Sequence, residues 1–165
     1  MVIEIDDAGW GDLIGGAVIV MRRVGTNQKY SHDIPLTDFQ GDAFNEKRYL
    51  ISVMDAIKKG LDALSVDKSE ALHICTGFIL KQAREALENE GWKVVPTKIT
   101  GETQRYAEEE FIGHLSRIGV GPPHDVRAIR GFNKSLEWVL RSLNHRERFV
   151  KTGWKSWSRL KRGDK

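Results

Sequence analysis

The chain has one cysteine, four prolines and no long uncharged apolar run in its 165 residues. A lone Cys75 excludes an internal disulfide and a zinc site built on thiolates. It closes the apolar run Ala71-Leu72-His73-Ile74-Cys75, which predicts a buried, inert thiol in a cytoplasmic protein. The five histidines, His32, His73, His114, His124 and His145, have no close ligand spacing, so a histidine zinc site is not expected either. The absence of a long apolar run argues against a transmembrane helix, and no membrane partner is expected. The chain enters a strand at once, without the basic start and cleavage-site pattern of a signal peptide. No repeat, low-complexity segment or linker divides it. Acids are scarce at one end. From Arg141 onward there are nine cations, Arg141, Arg146, Arg148, Lys151, Lys155, Arg159, Lys161, Arg162 and Lys165, against only Glu147 and Asp164.

What is present begins with the first twenty residues. The apolar run Val2–Ile5 ends in the adjacent carboxylates Asp6 and Asp7, followed by Ala8-Gly9-Trp10-Gly11 and a second apolar run from Gly15-Gly16. This reads as two strands joined by a glycine-rich turn, with acids at the end of the first. Aspartate also closes strands as an ordinary turn residue, because its side chain bonds nearby backbone N–H groups. Carboxylates at a strand end can equally hold Mg²⁺ or Mn²⁺, which prefer oxygen ligands.

The pattern then predicts a second strand from about Gly15 to Arg23, a hairpin turn at Val24–Asn27 and a third strand from Tyr30 to Leu36. Tyr49, Leu50, Val53, Ile57, Leu61 and Leu64 recur at helical spacing within 45–64. A short buried strand, Glu70–Cys75, and a helix, Phe78–Glu90, follow. Trp92–Pro96 reads as a short or edge strand, since Pro96 weakens its ladder. A helix beginning near Thr100–Thr103 has Ala107, Phe111, Leu115 and Ile118 on one face. Gly119–Asp125 reads as a loop, and Asn133–Asn144 as a last helix. The expected fold is α/β: a mixed five-stranded sheet, three antiparallel strands followed by helix-linked parallel strands, with helices on both faces.

This order, together with Ile5-Asp6-Asp7-Ala8-Gly9 and Gly15-Gly16, resembles the ribonuclease H-like superfamily over residues 1–119. The strand motif is also similar to the first strand of the actin and sugar-kinase superfamily, of which one copy would be half a kinase. The ribonuclease H-like resemblance implies one such domain over residues 1–145 and a basic, tryptophan-containing extension over 146–165. It further implies a metal-dependent nuclease or resolvase-like phosphodiesterase in which acids hold two metal ions. Asp6 or Asp7 fits the first-strand position, and Glu46 fits the first-helix acid. Glu108, with Glu109 next to it, fits the last-helix acid of the Holliday-junction resolvases. The expected metal set is Asp6, Glu46 and Glu108, with Mg²⁺ or Mn²⁺. Glu46 could instead serve its helix start, and a Glu108-Glu109-Glu110 run could be a solvated face. Where many family members carry an acid after the fourth strand, this chain has Thr76-Gly77-Phe78. That departure keeps open a non-catalytic nucleic-acid-binding module, with Arg127, Arg130 and Lys134 contributing.

In the basic extension, cations alternate with aromatics. Lys151, Lys155, Arg159 and Lys161 are expected to contact phosphates, and Trp154 and Trp157 to stack on bases. The alternative is a tail whose tryptophans anchor it to the body. The oligomeric state is left open, with a homodimer allowed.

Overall fold

The computed structural model describes residues 1–163; Asp164 and Lys165, counted above in the basic extension, lie outside the described residues. Five strands form one mixed sheet in the order β3-β2-β1-β4-β5. They are β1 (Val2–Ala8), β2 (Ala17–Arg23), β3 (Lys29–Ile34), β4 (Ala71–Cys75) and β5 (Lys93–Thr97). The first three pair antiparallel, and β4 joins β1, then β5 joins β4, in parallel. Parallel neighbours need a crossover. Here α2 (Arg48–Ala63) lies between β3 and β4, and α3 (Lys81–Asn89) between β4 and β5.

Strand alternation divides the core between the two faces. Ile3, Ile5, Ile19 and Met21 face α2 and α3, where Val53, Ile57, Ala83 and Leu87 meet them. Ala8, Val18 and Val20 face the other way. There they pack on Ala107, Phe111 and Leu115 of α4 (Glu102–Arg117). Both faces of β2 are therefore covered, which is why Ala17–Met21 is an unbroken apolar run rather than an alternating one. A buried ion pair ties the end of β2 to the segment before β4. Arg23 donates from Nε and Nη2 to the Glu70 carboxylate at 2.8 and 2.9 Å, and from Nη2 to Leu64 O at 3.0 Å. This forked geometry is the strong form of such a pair, and it holds the Glu70 carboxyl below its usual range.

Two segments differ from the sequence reading. Gly119–Asp125 is not wholly loop: Pro123 opens the short helix α5 (Pro123–Ala128), where its fixed φ and missing N–H suit the first turn. The last part of the chain is built into the body rather than extending from it. After α6 (Phe132–Leu140) and the single turn α7 (Leu143–Arg146), Phe149, Val150, Trp157 and Leu160 all join the α4-side core. Among the described residues no helix is long and apolar enough to cross a membrane.

Candidate functional site

Asp6 and Asp7 are the two residues before the last of β1, the central strand. β1 and β4 run parallel with Ile5 opposite Ile74, so the next step brings Asp6 alongside Cys75. The three side chains converge, with one ligand atom from each of Asp6, Asp7 and Cys75 lying within 4.8 Å of the others. Asp6 is 6% exposed. Burial is the main reason its carboxyl lies above the usual range. Hydrogen bonds from the Asp7 backbone and the Cys75 thiol oppose the rise, and the charges of Glu108 and Glu4 add to it. Asp7 is pushed up to about 7, by burial first and then by Asp6 and Glu108. Cys75 is pushed up to about 11 by burial and by both aspartates. Every charge acting on the pair is negative, so the cluster favours a bound proton or a bound cation.

The turn that follows is held in place from several sides. Gly9 has φ +97°, a conformation open to glycine, and a side chain there would run into the Phe111 ring. Gly15, at φ +75°, lies against Leu115 in the same way. The Gly16 N–H donates to His114 Nε2 at 2.9 Å, and the other ring nitrogen meets Asp33 at 3.1 Å. With Nε2 accepting, Nδ1 carries the hydrogen and donates to Asp33. Asp12 is fixed twice: its carboxylate takes Arg130 at 2.5 Å, and its carbonyl takes the Lys151 amine at 2.6 Å. The backbone of the C-terminal segment completes the clasp, through Gly15 N to Phe149 O at 2.8 Å and Lys151 N to Leu13 O at 2.9 Å.

The remaining acids expected at the site are distributed differently. Glu108 is close enough to raise both aspartates, but its carboxylate is held by Arg130 at 2.6 Å. Glu109 is held by Arg127 at 2.6 Å on the exposed side of α4. Glu46 caps the single turn α1 (Asp42–Asn45) and pairs in solvent with Arg48 at 2.8 Å. It does not belong to the Asp6–Asp7–Cys75 cluster. The cluster's third member is instead Cys75, read from the sequence as inert. Its place at the end of a strand parallel to β1 is the signal that could have brought it to Asp6.

The expected nucleic-acid residues also separate. Lys151 is 0% exposed, so it is not a surface cation. Its amine donates to Asp12 O and Ile14 O and lies over the Phe39 ring. Trp157 is buried and donates from Nε1 to Glu147 at 2.9 Å, which makes it an anchor rather than a stacking platform. Trp154 is half-buried and stacked on Phe132. Lys155, Arg159 and Lys161 are exposed, the last leaning toward Glu147 at 3.7 Å. No protein-family model matches the chain, and neither a curated protein nor a solved structure matches it significantly.

Proposed function

We propose that the chain is a Mg²⁺- or Mn²⁺-dependent phosphodiesterase acting on nucleic acid, on a ribonuclease H-like domain. The observation that carries this reading is the carboxylate pair Asp6–Asp7 at the end of the central strand, joined by Cys75, with Asp6 buried, Glu108 raising both carboxyls and Glu4 raising that of Asp6. The sheet order β3-β2-β1-β4-β5, with the antiparallel strands first, supports the domain assignment.

The donor set suits such an ion. Two carboxylates leave room for the waters and phosphate oxygens that Mg²⁺ retains, and the neighbouring thiol is better tolerated by Mn²⁺. A bound ion would polarise a phosphoryl oxygen and lower the pKa of a coordinated water. Asp6 and Asp7 hold the ion in this reading. The pinned Gly9–Gly16 turn keeps their backbone from shifting when it binds. Glu108 stands at the margin, positioned by Arg130. Glu46 and Glu109 would have to leave exposed ion pairs to take part, a step that costs only about 0–1 kcal/mol each. The exposed cations Lys155, Arg159 and Lys161 offer phosphate contacts.

Calorimetry with Mn²⁺, paired with cleavage assays on single- and double-stranded DNA and RNA, tests the reading. Wild type should bind Mn²⁺ and cleave at least one substrate, and Asp6→Asn and Asp7→Asn should lose both. Equal Mn²⁺ binding by wild type and Asp6→Asn removes Asp6 from the site, and equal binding by Asp7→Asn removes Asp7. One observation favours a second reading, a non-catalytic nucleic-acid-binding module: β4 ends in Cys75-Thr76-Gly77 with no acid. Nucleic-acid binding without cleavage at any Mn²⁺ or Mg²⁺ concentration selects it.

A further inference from the structure

Phe78 is the one aromatic among the exposed large apolar side chains of the described residues, at 61% exposed. Its position is not that of a stray surface residue. It follows Gly77 directly, and Gly77 lies beside the Asp7 carboxylate: a side-chain atom added there would sit 3.4 Å from Asp7 Oδ1. The short turn carrying it is braced by Arg84, which donates to Cys75 O at 2.5 Å and Gly77 O at 3.1 Å. Beneath Phe78 lies Trp10 of the glycine-rich turn, with ring centroids 5.6 Å apart and planes inclined by 29°. Trp10 rests in turn on Tyr49 at 5.1 Å and Phe44 at 6.4 Å. One ring of a supported stack is thus left open to solvent, one residue from the acid pair's neighbour. Exposed cations stand near these rings along the chain. Lys81 is three residues further on, and Lys47 lies between Phe44 and Tyr49; neither has a salt bridge among the described residues.

We infer that Phe78, backed by Trp10, is a stacking platform for an unpaired nucleobase, so that the site takes a nucleic-acid strand with an unstacked base. The inference rests on the phosphodiesterase reading above for the identity of the substrate. The chemistry is matched part by part. A nucleotide presents a π-face, which an aromatic ring accepts whatever the base, and a phosphate, which Lys47 and Lys81 attract. An aliphatic partner would need neither the ring nor the cations. A fully paired duplex keeps its bases stacked on one another and leaves Phe78 unused. The ring's own geometry needs no rearrangement to bind, since it is already fixed from below.

The test uses the full chain and a single-stranded oligonucleotide carrying 2-aminopurine, with its duplex as control and Ca²⁺ as the cation. Wild type should bind the single strand more tightly than the duplex and quench the 2-aminopurine. Phe78→Leu, an exposed change that leaves the core untouched, should weaken single-strand binding roughly 5- to 150-fold and abolish the quench. Phe78→Tyr should restore both, and duplex binding should be the same in all three proteins. Mn²⁺ binding should be unchanged in Phe78→Leu, which separates this platform from the metal reading. If Asp6→Asn leaves Mn²⁺ binding intact while the Phe78 effects persist, the platform stands and the phosphodiesterase reading fails. Equal affinity and quench in wild type and Phe78→Leu overturn the platform. A wild type that binds neither oligonucleotide also overturns it.

Discussion

Lys151 shows how far a residue's role can lie from its local composition. Among Arg148, Lys155 and Arg159 it reads as one more phosphate contact, yet its amine is enclosed and bonded to the carbonyls of Asp12 and Ile14. Those partners are 139 and 137 positions away, which no local pattern reveals. Burial pushes its pKa down to about 7; the Asp12 carboxylate opposes that shift and Arg130 reinforces it. The unfolded chain keeps the ordinary lysine value, so between about pH 7 and 10 it holds a proton that the folded protein has released. Stability attributable to this group therefore rises with pH across that window, by up to about 1.4 kcal/mol per unit. Below pH 7 both states are protonated, and the folded protein carries the full cost of a buried charge. Lys151→Met removes the titration. Urea melts at pH 6.5, 8 and 9.5 should show the wild type gaining on the variant as pH rises. A difference that stays constant would mean that the amine titrates normally. By contrast, Asp6 and Asp7 were legible, because an apolar run ending in two acids is a pattern contained within six residues.

At the scale of elements, the C-terminal segment follows the second of its two sequence readings, the one in which its tryptophans anchor it to the body. Alternating cations and aromatics also fit the other reading, an extension that contacts phosphates and bases. In the structure Phe149, Val150, Trp157 and Leu160 fill the core against α4 and α6, and the Ile14–Val150 bridge joins the segment to the glycine-rich turn. Amphipathic spacing was too short to show this, since the last helix, α8 (Trp157–Leu160), is one turn long. Trp157→Ala should cost about 3–5 kcal/mol, as large aromatic truncations in cores do. Truncation after Asn144 should abolish cooperative thermal unfolding, not merely weaken nucleic-acid binding. A truncated chain that melts sharply near the wild-type temperature would show that the segment is dispensable to the core. The longer elements were legible for the opposite reason. Over its sixteen residues α2 repeats its apolar face several times, and β2 is apolar throughout.

For the molecule as a whole, the order of elements foretold the sheet, because an antiparallel meander followed by two helix crossovers leaves few arrangements. The same reading placed Glu108 beside the acids but named Glu46 in place of Cys75, because the cluster depends on how α4 and β4 close around β1. Glu108 and Cys75 come to the pair, and Glu46 does not. Gathering like charges there sets stability against function. In chelator, Asp7→Asn should melt several degrees above wild type, since one buried charge is removed and each kcal/mol moves a chain of this size by roughly 2–4 °C. In excess Mn²⁺ the order should reverse, because the ion stabilises only the protein that binds it. Thermal melts under the two conditions check this, and an unchanged order would mean that the pair holds no ion.

The bond between Lys151 and Asp12 also bears on how the protein is made. At ~5–20 residues per second, about 7–28 s of translation separate the two residues. During that interval the nascent chain already carries Asp6 and Asp7, but the turn beside them lacks its clasp. The ribosome therefore delivers the acids early and their final geometry late. A chain cut short by premature termination before Lys151 would keep the acids without the lock that fixes them.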